Sequence, residues 1–170
     1  MTQLSLYFGM LMLTANFSST ARDMPRIAIV EQAPVTTEEQ RFVDLVNSER
    51  WSRGMSQLVV DPELVKTARA HSKEMADKAY FDHDSPTPGL RTAMDRYLRV
   101  CGTRPSWAYL GENLFYCSVV DVNRGHDRLM KSESHRANIL NPKFERVGVG
   151  IYESADGQFW VTQMFLARTD

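Results

Sequence analysis

Apolar positions along the chain follow two periods. Phe42, Val43, Leu45 and Val46 recur at the three- and four-residue steps of a helix. They follow Thr36-Thr37 and Glu39-Gln40, a capping-box pattern in which a threonine hydroxyl takes a first-turn N–H and the later side chain reaches back. This predicts a helix over 38–51, stopping before Gly54. Asp61-Pro62 opens a second helix, with Asp as N-cap and Pro where its missing N–H removes no bond. Leu64, Ala68, His71 and Met75 share its inner side, and it ends near Ala79. Two prolines, a glycine and two aspartates make residues 80–89 a loop. A third helix is predicted over 90–100 from Ala93, Met94, Tyr97 and Leu98, and a fourth over 120–131 from Val122, Leu129 and Met130. The period then shortens to two. Val147, Val149 and Ile151 alternate, Ser154-Ala155-Asp156-Gly157 makes a turn, and Phe159 and Val161 resume the alternation, as in a β-hairpin. Helices followed by antiparallel strands give an α+β layered fold.

The N-terminus reads differently. Residues 4–13, LSLYFGMLML, form an uncharged apolar run, too short to span a membrane but of the length of a signal-peptide hydrophobic region. Ser19-Thr20-Ala21 resembles a small-x-small cleavage site. Residues 1–21 therefore read as a signal peptide, although no Lys or Arg precedes the run; a buried N-terminal strand or helix is the alternative. Residues 22–36 hold two prolines and read as a linker, with one short strand at 27–30.

The chain has 170 residues, the size of one domain. Its net charge of -1 offers no electrostatic footprint for nucleic acid, and no apolar run reaches membrane-spanning length. Cys101 and Cys117 lie sixteen positions apart with no CxxC. Export would let them pair as a disulfide; otherwise they are buried thiols.

The histidines are four. His71 falls on the apolar side of the second helix and reads as a core residue. His126, in Arg124-Gly125-His126-Asp127-Arg128, reads as part of a solvated helix face. His83 and His135 lie in or beside loops, in polar surroundings where binding residues concentrate. Glu112 adds a carboxylate close to apolar neighbours. Two imidazoles and a carboxylate can hold zinc with an open position, and they can equally form a structural hydrogen-bond network. Their spacing leaves both open.

Taken together, five segments resemble the CAP superfamily in its bacterial form, with an SCP-like domain. They are Phe42-Val43-Asp44-Leu45-Val46-Asn47-Ser48-Glu49-Arg50; Ala68-Arg69-Ala70-His71-Ser72 with Tyr80-Phe81-Asp82-His83; Gly111-Glu112-Asn113-Leu114; His135-Arg136-Ala137-Asn138-Ile139-Leu140; and Val147-Gly148-Val149-Gly150. The resemblance covers residues 37–168 and implies a three-layer α-β-α sandwich with a central antiparallel sheet. It also implies secretion, and a cavity of two histidines and two acids that binds zinc or another divalent cation in some members. By position His83, Glu112 and His135 are three of the four, and all three are expected as metal ligands. The stretch Asp127–Ser132 lacks the family's second acid at its end, so Asp84 beside His83 and Glu133 are the candidates for it. The expected function is a secreted or cell-envelope binding module, monomeric and not an enzyme, for a lipid, peptide or protein. The alternative is a metal-dependent hydrolase in which Glu112 acts as general base.

Overall fold

The computed structural model describes residues 34–169. The predicted signal peptide and the short strand at 27–30 lie outside these residues. The elements are α1 (Thr37–Trp51), β1 (Val59–Val60), α2 (Pro62–Asp77), α3 (Ala93–Cys101), β2 (Trp107–Cys117), α4 (Val122–Lys131), α5 (Glu133–Ile139), β3 (Arg146–Glu153) and β4 (Phe159–Thr169).

Side-chain caps fix where the helices begin. The Thr36 hydroxyl accepts from Glu39 N at 3.2 Å, and the Glu39 carboxylate accepts from Thr36 N at 2.9 Å. Asp61 Oδ1 accepts from the N–H groups of Glu63 and Leu64 at 2.9 and 3.2 Å and starts α2 where the sequence places it. α3 begins three residues later than the apolar pattern implies, because Thr92 and Asp95 form a second capping box. Gly102, at φ 71°, ends that helix in the left-handed conformation glycine tolerates.

The sheet order is β1-β3-β4-β2. β3, β4 and β2 are antiparallel, and the two-residue β1 adds a parallel edge to β3. Strand alternation sends side chains to opposite faces. On one face Val147, Val149, Phe159, Val161, Phe165 and Ala167 pack with Phe42, Val43 and Val46 of α1, Leu129 of α4 and Ile139 of α5. On the other, Met164 and Leu166 meet Leu64 and Ala68 of α2 and Tyr97 of α3. The α+β three-layer sandwich is thus built by hydrocarbon burial on both sides of one sheet. Gly148 and Gly150 let α2 lie directly on β3. A Cβ at Gly148 would stand 2.4 Å from Leu64, and one at Gly150 2.0 Å from the Arg69 nitrogen.

Five details depart from the sequence reading. β2 is an eleven-residue strand, α5 is a separate helix, and β1 pairs through two residues only. Gly111-Glu112-Asn113 breaks the apolar alternation of β2, which hides it from a period-two search. His126 is not on a solvated face: it is 3% exposed, with the Glu49 carboxylate 3.9 Å from its ring. Finally, Cys101 and Cys117 are free thiols, and the expected disulfide is not formed. Cys101 packs into the cluster that holds Ala108 and Leu110 near the start of β2, whereas Cys117 ends that strand. A strand rises about 3.3 Å per residue, so its length keeps the two apart, against the roughly 7 Å limit between disulfide α-carbons.

Candidate functional site

β2 is an edge strand, and its one buried stretch is Glu112-Asn113-Leu114. The Glu112 side chain is 5% exposed, and both carboxylate oxygens are engaged. Oε2 accepts from Arg96 Nη2 at 2.6 Å, and Oε1 pairs with His83 Nδ1 at 2.8 Å. A buried carboxylate without partners would be costly; a guanidinium and an imidazole together offset its desolvation.

Arg96 arrives on α3 and is itself buried. Its Nη1 donates to the carbonyls of His83, Leu90 and Arg91 at 3.0, 3.2 and 2.9 Å. One side chain therefore neutralises Glu112 and ties down the loop that carries His83. Sequence reasoning missed it. The signal was present: Arg96 lies with Ala93, Tyr97 and Val100 on one stripe of α3, an unusual place for a charge. Glu74 on α2 anchors the same loop, accepting from Ser85, Thr87 and the Tyr80 hydroxyl.

His135 lies in the first turn of α5, not in a loop. Amides lock this helix to β2. Asn138 Nδ2 donates to the Glu112 carbonyl at 3.1 Å and to Asn113 Oδ1 at 2.8 Å. Asn113 Nδ2 donates to the His135 carbonyl at 3.1 Å and to Gln163 Oε1 at 3.2 Å. Gly111 leaves room for this contact, since a Cβ there would stand 3.0 Å from Asn138 Oδ1 and 2.7 Å from the Phe144 ring. Asn113, Asn138 and Gln163 are positioning residues; Asn113 and Asn138 stand in the CAP-like segments of the sequence, whereas Gln163 is marked there only as a polar residue in an apolar strand.

The charges follow from these contacts. Burial raises the Glu112 carboxyl, but the His83 hydrogen bond and the charge of Arg96 outweigh it and leave its pKa below the ordinary value. The same hydrogen bond raises the pKa of His83, whose side chain is 55% exposed. His135, half-buried, is lowered by desolvation and then by the charge of His83. The structure thus brings His83, Glu112 and His135 into one electrostatic neighbourhood. Asp84 stands apart from it, exposed and paired with Arg91 at 2.9 Å.

This arrangement can be set beside known proteins. The family model of the cysteine-rich secretory protein family, CAP, matches residues 43–165. The chain belongs to that family. YkwD of Bacillus subtilis (strain 168) is 38% identical over 138 residues, which cover 79% of this chain and 49% of YkwD. An SCP-domain extracellular protein of Bacillus anthracis superposes with a TM-score of 0.67 at 32% identity, over 80% of this chain and 45% of that one. An outer surface protein of Borrelia burgdorferi shares the fold, with a TM-score of 0.69 at 17% identity over 81% and 97% of the two chains. The chain spans about half the length of the curated relative YkwD.

The CAP resemblance implied a divalent metal held by His83, Glu112 and His135. Among the described residues, no group of three or more His, Cys, Asp or Glu side chains could hold a metal ion. The charges explain why this donor set does not fit one. Both oxygens of Glu112 are already engaged, one by the Arg96 guanidinium, which balances its charge, and one by the His83 ring. Neither candidate for the second acid joins the set: Asp84 faces Arg91, and Glu133 is exposed at the start of α5.

Proposed function

We propose that this CAP domain is a binding module of the cell exterior whose site is the β2 edge, with His83 and His135 at its mouth and Glu112 beneath them. The observation that supports this reading is the double engagement of Glu112 by Arg96 and His83. A general base works best with a pKa near the working pH. A carboxylate stabilised in its charged form by two partners is a weak base, which argues against Glu112 as the base of a hydrolase. The same saturation makes the module independent of resident zinc or another divalent cation. What remains available is the second ring nitrogen of His83, on an exposed side chain, and the half-buried ring of His135. These polar atoms suit a lipid, peptide or protein that offers a hydrogen-bonding group. The extracellular and outer-surface descriptions of two structural relatives support placement outside the cytoplasm or at the envelope. Among the described residues no helix is long and apolar enough to cross a membrane.

Turnover of p-nitrophenyl acetate and of casein, with and without chelator or added zinc, tests this reading alongside a calorimetric zinc titration. The expected outcome is no turnover above buffer and no stoichiometric zinc binding. Chelator-sensitive turnover that disappears in Glu112→Gln would establish the hydrolase instead.

A further inference from the structure

At the β3–β4 turn end of the sheet, Tyr152, Trp160 and Tyr116 stand in register across β3, β4 and β2. The Tyr116 and Trp160 ring centroids are 4.3 Å apart, and Phe81 leans on both at 6.1 and 6.2 Å. Phe81 and Tyr116 are 51% and 40% exposed, too much for a core cluster. Together with the end of α2 they floor an open cleft of about 470 Å³. The turn supplies the opposite wall. The Tyr116 hydroxyl donates to Gln158 Oε1 at 2.7 Å, Gln158 Nε2 donates to Asp156 Oδ2 at 2.6 Å, and the Ser154 hydroxyl donates to Asp156 Oδ1 at 2.5 Å. Trp160 is 7% exposed, and its indole N–H is buried with no hydrogen-bond partner among the described residues. Native structures rarely leave a buried donor unmet, so this one is open to an acceptor that the described residues do not supply.

We propose that this cleft binds a saccharide. The occupant must have an apolar face for the rings and a polar edge carrying both donors and acceptors. A pyranose ring has that form: its C–H face lies on aromatic rings while its hydroxyls both donate and accept. The volume falls within the range of small-ligand sites, which are mostly apolar with a few placed polar groups. Other chemistries fit less well. Among the described residues Asp156 is the one charged side chain lining the cleft, so an anionic ligand meets repulsion. A proline-rich peptide would suit aromatic rings and an indole N–H, but proline has no N–H to offer the acceptors on Asp156 and Gln158. A quaternary ammonium needs rings opened around it, and these three pack on one another. The proposal stands independently of the Glu112 site. Glu112 and Tyr116 share a β2 face four residues apart, roughly 13 Å.

The test is the indole N–H spectrum of the isotope-labelled full chain, titrated with cellotetraose, chitotetraose and xylotetraose. Trp160 is assigned by its loss in Trp160→Phe. At least one sugar is expected to move the Trp160 signal saturably while the signals of Trp51 and Trp107 stay in place. Tyr116→Ala and Asp156→Ala should each weaken that binding by about tenfold while the chain still unfolds cooperatively above the titration temperature. Asp156 is exposed, so its variant remains readable even if Tyr116→Ala fails to fold. No displacement by any of the sugars at millimolar concentration, equal movement of all three indoles, or displacement by decaproline in place of the sugars would overturn the proposal.

Discussion

β4 and β2 are both eleven residues long and pair in register from end to end, yet they are made of different material. β4 is buried over nine consecutive residues, between α1, α4 and α5 on one side and α2 and α3 on the other. β2 is an edge strand buried only at Glu112, Asn113 and Leu114. Burial on both faces leaves that nine-residue stretch Thr162 and Gln163 as its hydroxyl and amide side chains, each bonded to a neighbour. An open edge lets β2 present a charge to α3 on one side and an amide to α5 on the other. The contrast separates the part of the sheet that supplies stability from the part that supplies chemistry.

Substitutions can break this contrast. Phe165→Ala in β4 opens a hole in the main core and should cost about 3–5 kcal/mol in urea unfolding. The exposed Tyr116 of β2, cut to alanine, should cost well under half of that. Comparable losses at the two positions would erase the distinction. Arg96→Met leaves Glu112 buried without its guanidinium partner and should cost about 3 kcal/mol, the scale of a broken buried ion pair. The double variant Arg96→Met/Glu112→Leu should recover most of that loss, since an apolar replacement of a buried pair is close to neutral. A double variant as unstable as the single one would mean the ion pair holds the fold rather than equips a site.

How far the sequence could be read follows the same division. The caps at Thr36 and Asp61, and the alternation of β3 and β4, are local signals, and each element formed where its residues placed it. Glu112, His83 and His135 were singled out by the family motifs. What holds them was not. Arg96 meets Glu112 across sixteen residues, and Asn138 meets Asn113 across twenty-five, contacts that no local period encodes. His126 was misread because its charged neighbours are exposed while the ring itself turns inward between α4 and α1. The cysteines were misjudged for want of β2: without that strand, sixteen residues look like a loop that can close.

The pH dependence of stability sharpens the comparison further. Glu112 and Glu74 have folded pKa values below the ordinary 4.5, that of Glu74 at about 2. Below 4.5 the unfolded chain binds these protons first, so their contribution is present above that pH and is lost as pH falls through the folded values. His83 is raised above 6.5, so its contribution is complete below 6.5 and is lost as pH rises through the raised value. His126 is lowered by burial, so its contribution declines as pH falls below 6.5. Unfolding free energies measured across pH should show Glu112→Gln removing the decline that begins above 6.5, because the Glu112 hydrogen bond is the first cause of the His83 shift. The decline above pH 10 from Tyr80 and Tyr97, both raised to about 12, stays. An unchanged decline above 6.5 would separate His83 from Glu112.

The smallest effect belongs to neither strand. Ala79 closes α2 at φ 54°, where a side chain is strained. Ala79→Gly should relieve that strain and raise stability by at most about 1 kcal/mol, offset in part by the greater freedom of glycine in the unfolded chain.

The proposal that Glu112 is balanced from within by Arg96 and His83 is tested most directly by NMR titration of the His83 and His135 rings. In the wild-type chain, His83 should titrate above 6.5 and His135 below it, with or without chelator. In Glu112→Gln, His83 should fall toward or below the ordinary value while the protein stays folded. A wild-type His83 that titrates below His135, or that shifts on chelation and ignores the loss of Glu112, would contradict it.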